Sequence, residues 1–457
     1  MPEWAWFKLN EDAIENFAND YKKFLCEAKT ERETVKYLIK EAKRYDFKPI
    51  DELEKLSVGD KVYATFRNKL VAMAVIGKNP VTKGFRIIGS HTDTPRIDLK
   101  PAPLYENSGI AMLKTHYYGG VKKYQWVAIP LALHGTIAFK DGTVKDIVIG
   151  EDDSDPIFVI PDVAPHIGGK KQESRKGTEV IEGEELHTIA GNKPIRSEKQ
   201  DEKDSVKKMV LKILEEKYGI KEEDLISADL ALVPAFKPRD AGFDRSMIAA
   251  YGQDDRVCVY TSFRALIEQE KPEFTAIGLF VDREEIGSAG DTSINSMFFE
   301  YFITEIMRKS AAGTSMDVLI KAFTNSRAIS ADVNTVVDPL HGDLYDLSNA
   351  GFLGKGVILT KYTGRGGKYS TSEAHAEYIA WIRNILDKRN IPWQSGLMGK
   401  VDVGGGGTIA MFIAQRGIIT ADMGPGVLAL HAPYEITSKA DVYSAYLAYK
   451  AFYEEGE

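Results

Sequence analysis

Glu284 and Glu285 stand side by side in the stretch FVDREEIGS, residues 280–288, where an apolar strand is predicted to end. Adjacent carboxylates are readily hydrated at a surface, but each is costly to bury unless a cation meets it. Other points along the chain have the same setting. His91 and Asp93 follow FRIIGS, Asp254 and Asp255 lie in GQDDR, Asp332 ends AISAD, and His431 ends VLALH. Brought together, these points offer two imidazoles and three carboxylates as ligands, with one glutamate to spare. Zinc accepts imidazole nitrogen and carboxylate oxygen, and manganese and cobalt tolerate similar sets. A carboxylate shared by two ions about 3.5–4 Å apart would leave a histidine and a terminal carboxylate to each. The spare group is then a base. Neighbouring side chains on an extended segment point in different directions. One glutamate of the pair can therefore bind metal while the other faces the attacking water.

Each residue also has a plainer reading. His91 could be a core histidine held by Asp93, and His431 another at the end of its strand. Asp254 and Asp255 suit a helix N-terminus, where carboxylates meet the positive end of the dipole. Glu284 and Glu285 could line a solvated loop, and Asp332 could cap a turn. The run GGGG at 404–407 reads as a flexible turn or a close approach of backbone. It does not read as a phosphate loop, because no Lys-Ser/Thr pair follows it.

The elements that must position these groups follow from periodicity. Residues 11–46 place Ile14, Phe17, Tyr21, Phe24 and Leu25 at helical spacing. KVYATF and LVAMAVIG read as strands, and FRIIGSHTDTP as a buried strand running into a loop at His91. From about residue 98 short β-rich runs alternate with turns, with a hairpin signal at Asp141-Gly142. Residues 168–203 are polar and read as a surface excursion. SVKKMVLKILEEKY, residues 205–218, is an amphipathic helix that Ser205 is expected to cap and Gly219 to close. After residue 236 helices and apolar strands alternate to the C-terminus. Apolar strands between helices predict an α/β fold, a mixed and largely parallel sheet flanked by helices, in which ligands bind at strand carboxyl ends. A mostly β segment is inserted over residues 98–236.

Composition narrows the classes. A chain of 457 residues that is 44% hydrophobic and 28% charged can bury a large core. A net charge of -8 disfavours nucleic acid as a partner. Two cysteines, Cys26 and Cys258, make neither a disulfide framework nor a thiolate cluster, so a reducing cytoplasmic setting is expected. The N-terminus lacks a basic region followed by an apolar run, and no stretch approaches the roughly 18 apolar residues of a membrane span.

GSHTDTPRIDLKP, DDR, DREEIGS, SADV and LALHAPYE, in that order, resemble the motifs of the M18 aminopeptidase family, and the likeness extends through YQWVAIPLALHG and IPDVAPHI. The resemblance implies a zinc-exopeptidase-like catalytic domain made of residues 1–97 and 237–457, with residues 98–236 as a dimerisation domain. It implies two divalent ions per subunit, zinc first and cobalt or manganese as alternatives. His91, Asp254, Glu285, Asp332 and His431 would be their ligands, with Asp254 shared. Glu284 would be the general base, and Asp93 would orient the His91 imidazole. His166, in PDVAPHIGG, would complete the active site of a neighbouring subunit and stabilise the oxyanion. The implied activity is removal of the N-terminal residue from peptides with a free amine, in a homo-oligomer of dimers assembled as a tetrahedral dodecamer. Departures from the aspartyl aminopeptidases occur at Asp255, where Asn is usual, at VGGGGTIAM, and at APYE after His431. They fall near the substrate pocket, so an acidic or a neutral first residue remains open. Lys361, Arg365 and Lys368 in KYTGRGGKYS are candidates to pair with an acidic side chain. Two other readings compete: an assembly or cargo protein that has lost catalysis on the same fold, and an amidohydrolase of N-acyl amino acids.

Overall fold

The computed structural model describes residues 3–196 and 203–456. The chain divides into two compact units. One comprises residues 1–93, 238–430 and 435–457, and the other residues 94–237 and 431–434.

The first unit is built on a nine-stranded mixed sheet. Its centre is parallel: Thr275–Val281, Phe85–His91, Arg327–Ser330 and Ile419–Gly424 lie side by side. Leu70–Val75 and then Lys61–Phe66 add antiparallel on one side, and Val357–Thr360 on the other. Leu70–Val75, Phe85–His91 and Thr275–Val281 are buried at every position. Alternate residues therefore supply two cores. Val71, Met73, Ile88 and Phe280 meet the helices Glu11–Glu27, Gln253–Ile267 and Lys439–Glu454 on one face. Ala72, Ile87, Ile277 and Leu279 meet Phe298–Lys309 on the other. A second, five-stranded sheet contains Met247–Ala250 paired with Glu435–Ser438.

The second unit holds a six-stranded antiparallel sheet in the order Val144–Ile149, Leu131–Ala138, Ala228–Pro234, Arg96–Asn107, Ile110–Tyr118, Thr188–Gly191. The Asp141-Gly142 hairpin forms, with Asp141 Oδ1 accepting from Thr143 N at 2.9 Å. The polar excursion is more structured than its composition implies. Its described part, up to residue 196, carries the helix Pro165–Gln172 and the edge strand Thr188–Gly191. Residues 197–202 lie outside the described residues. The amphipathic helix spans Ser205–Ile213, continues as a π-helical turn Leu214–Tyr218, and ends at Gly219 with φ 68°. Ser205 does not cap it. Asp204 precedes the helix at φ 59°, and Glu106 Oε2 accepts from Val206 N and Lys207 N at 2.9 and 3.0 Å, so a side chain distant in sequence satisfies the first amides. Among the described residues no helix is long and apolar enough to cross a membrane.

Candidate metal centre

In the first unit, four strand ends and loops deliver acidic and imidazole groups to one place. His91 is the last residue of a central strand and is 1% exposed. Its main-chain N–H donates to Asp255 Oδ2 at 3.2 Å. Its Nδ1 lies 3.0 Å from the Asp93 carbonyl oxygen and 3.3 Å from Asp93 Oδ1. Its Nε2 is 3.2 Å from Asp254 Oδ1, 3.9 Å from Glu284 Oε2 and 4.0 Å from Asp332 Oδ1. Donor atoms of His91, Asp254 and Glu285 all lie within 4.8 Å of one another, as do those of His91, Asp255 and Asp332.

The backbone explains how adjacent acids reach one centre. Asp254 and Asp255 begin the helix Gln253–Ile267 but are not helical themselves, with φ/ψ of −80°/107° and −115°/25° and a cis peptide bond between them. Glu284 and Glu285 do not lie on an extended segment. Arg283 turns left-handed at φ 68°, and Glu284–Ile286 forms a 3-10 turn. Asp93 caps that turn: its Oδ1 accepts from Glu284 N and its Oδ2 from Glu285 N, both at 3.1 Å. Asp93 thus touches both the imidazole and the glutamate pair.

The charges are strongly coupled. Burial opposes protonation of His91, but contacts with Asp254 and Asp93 outweigh it and push the imidazole well above its usual range. Burial raises the Asp255 carboxyl well above the carboxylate range, with Asp254 adding to the shift while His91 opposes it. Burial raises Asp332 likewise, and the charge of Asp255 adds to it. A buried group of carboxylates that resist ionising is one that a divalent cation would stabilise. Nitrogen and carboxylate oxygen, without thiolate, also form the donor set that zinc, cobalt and manganese accept.

The remaining candidates make other contacts. His431 belongs to the second unit, where its Nδ1 lies 2.9 Å from the Gly120 carbonyl oxygen and its φ is 65°. His166 is exposed on the helix Pro165–Gln172, also in the second unit. Lys368 pairs with Glu373 at 2.9 Å and lies over the Tyr362 ring, and Lys361 approaches Glu373 at 3.9 Å. Arg365 exchanges main-chain hydrogen bonds with Tyr369. The glycine run is a close approach of backbone: a Cβ on Gly405 would lie 1.8 Å from the Gly364 carbonyl oxygen.

Two residues were missed as parts of the site. Asp255, by sequence a departure from the family pattern near the pocket, holds the His91 amide and joins a donor group. Glu435, the last residue of LALHAPYE, accepts from Asp254 N at 3.1 Å. Its place at the end of LALHAPYE was the signal the sequence offered for it.

Residues 24–453 match a protein family described as aminopeptidase I zinc metalloprotease (M18). A probable M18 family aminopeptidase 1 from Borrelia garinii subsp. bavariensis is 47% identical over 455 residues, covering 98% of this chain and 99% of that one. The crystal structure of an M18 aminopeptidase from Thermotoga maritima superimposes with a TM-score of 0.96 at 44% identity, each chain covered fully. That of aminopeptidase I from Clostridium acetobutylicum superimposes with a TM-score of 0.92 at 44% identity, with 99% of each chain covered.

Proposed function

The chain belongs to the M18 family of metallo-aminopeptidases, and we propose that it releases the first residue of peptides using two divalent ions and Glu284 as the base. The observation that carries this reading is the clustering around His91. Asp254 with Glu285, and Asp255 with Asp332, each offer oxygen atoms that lie within 4.8 Å of its imidazole and of one another. His91, Asp254, Glu285 and Asp332 would hold the ions, with Asp254 shared. His431 joins them on the strength of its motif. Ions held there, zinc first, would supply Lewis acidity toward a water and the scissile carbonyl. Glu284 takes the proton of the attacking water and returns it to the leaving amine. Its carboxylate suits that role because Asp93 fixes its main-chain amide while its Oε2 stays 3.9 Å from the His91 imidazole.

Asp255 acts as an orienting group, since its Oδ2 is engaged by the His91 N–H. His166, exposed in the second unit, would reach a neighbouring subunit and stabilise the oxyanion. Ile157 and Ile167, 53% and 81% exposed in the same unit, are suited to a subunit contact. We take the assembly to be a homo-oligomer of dimers. A chain with only two cysteines, Cys26 and Cys258, fits a reducing cytoplasm.

The test is Glu284→Gln, which should keep bound metal and lose about 10²- to 10⁴-fold in turnover. A fully metal-loaded variant that stayed active would sink the assignment. Rates on aminoacyl reporters with acidic and neutral first residues would decide the specificity. Lys361 and Lys368 both face Glu373, so either would have to exchange that partner to pair with an acidic substrate, whereas Arg365 is the third candidate.

A further inference from the structure

We infer that Glu435 is a positioning residue for the metal centre, acting through the main-chain N–H of Asp254; this rests on Asp254 being a metal ligand. The need for such a residue comes from the local backbone. Gly252 turns left-handed at φ 69°, and Asp254 and Asp255 depart from helical angles before the helix proper starts. Asp254 therefore presents its N–H where no helical carbonyl serves it, in a buried setting where an unmade hydrogen bond costs about 1–3 kcal/mol.

Glu435 answers from a fixed place. It is 1% exposed and opens the strand Glu435–Ser438, whose register pairs it with Ala250. Its Oε2 accepts from Asp254 N at 3.1 Å. Its carbonyl oxygen accepts from Gln253 Nε2 at 2.8 Å, and the same amide donates to Ile248 O at 3.1 Å. The residue before the ligand and the ligand itself are thus both tied to one strand residue. With its main chain held, Asp254 directs Oδ1 to within 3.2 Å of His91 Nε2. Asp93 does the same for the other acidic pair, through the amides of Glu284 and Glu285. Each pair of adjacent acids is steadied from behind by a carboxylate on a different segment.

Placing a further carboxylate behind a cluster of carboxylates has two explanations, reach and charge, and a pair of conservative variants separates them. Glu435→Gln removes the charge and keeps an acceptor at the same reach. Glu435→Asp keeps the charge and withdraws the oxygen from the Asp254 N–H. The readout is the Zn2+ dissociation constant, measured by competition with a chromogenic chelator, with the thermal midpoint of the metal-free protein as the control for folding. Glu435→Asp should weaken Zn2+ binding by about 10- to 100-fold, with Glu435→Gln close to the unsubstituted protein. The reverse pattern, or native affinity in both variants, would overturn the role. Asp254→Asn separates the two layers of the argument. Affinity that survived Asp254→Asn would overturn the ligand reading and the role of Glu435 with it. Lost affinity in Asp254→Asn alongside native affinity in Glu435→Asp would overturn the role of Glu435 alone.

Discussion

The two units bury their side chains under different constraints. In the α/β unit the central strands are closed on both faces, and polar groups such as Arg86, Asp254, Asp255, Asp422 and Asp441 are buried among the apolar ones. Backbone segments approach so closely that only glycine fits at Gly405, and a Cβ on Gly424 would lie 2.0 Å from the Asp332 carbonyl oxygen. The β unit has a close approach of its own, where a Cβ on Gly135 would lie 1.9 Å from the Asp229 carbonyl oxygen, but it also leaves a pocket. Between its sheet and the π-helical end of its helix lies a cavity of about 380 Å³, lined by Leu99, Leu133, Phe158, Ile189 and Leu214 among others. A centre whose ligands must be held to within tenths of an ångström needs close packing behind it. The sheet of the β unit tolerates a partly open pocket beside it.

Substitutions rank the contrast. The largest effect is expected at Gly405→Ala, where φ is 136° and the new methyl would meet backbone. The thermal midpoint should drop by more than that of an ordinary point mutant, whose cost centres near 1 kcal/mol. A neutral outcome would mean the glycine run is slack. Ile277→Ala, at a fully buried site in the central sheet, should cost about 2–5 kcal/mol in denaturant unfolding.

An intermediate effect is expected from pH. Burial pushes the Asp422 carboxyl up to about 6, against the opposing hydrogen bond from Thr408. The folded state then binds more protons than the unfolded state between the ordinary aspartate range and about pH 6. Its contribution to stability is present at the acid end of that window and is lost as pH rises through it. Asp422→Asn should flatten this part of the stability profile, read by hydrogen exchange in peptides from the α/β unit. An unchanged slope would count against the raised carboxyl. The smallest effect is expected in the β unit. Leu214→Phe should fill part of the cavity and raise stability by about 0.5–2 kcal/mol. A loss there would show that the void is needed or already well packed.

Much of this was readable in advance. The alternation of buried strands and helices gave the α/β class, because strands covered on both faces become unbroken apolar runs such as LVAMAV. Of the acids and histidines singled out at strand ends, His91, Asp254, Glu285 and Asp332 come close together. What failed was local geometry. Glu284 and Glu285 look extended by continuity with their strand, but Arg283 breaks it and a turn caps on Asp93. Ser205 looks like a helix cap, but Glu106, about a hundred residues earlier, does the work. The four-residue strand Thr188–Gly191 is too short and too polar in its surroundings to rise above the excursion that carries it.

By itself, the sequence determined which groups were available and that they would stand at the ends of strands, since residue type and hydrophobic period are local properties. Tertiary structure alone decided which of them meet, and which distant carboxylates hold them. Asp93 reaches Glu284 across 191 positions and Glu435 reaches Asp254 across 181, and such contacts exist only after the sheet has brought those segments together.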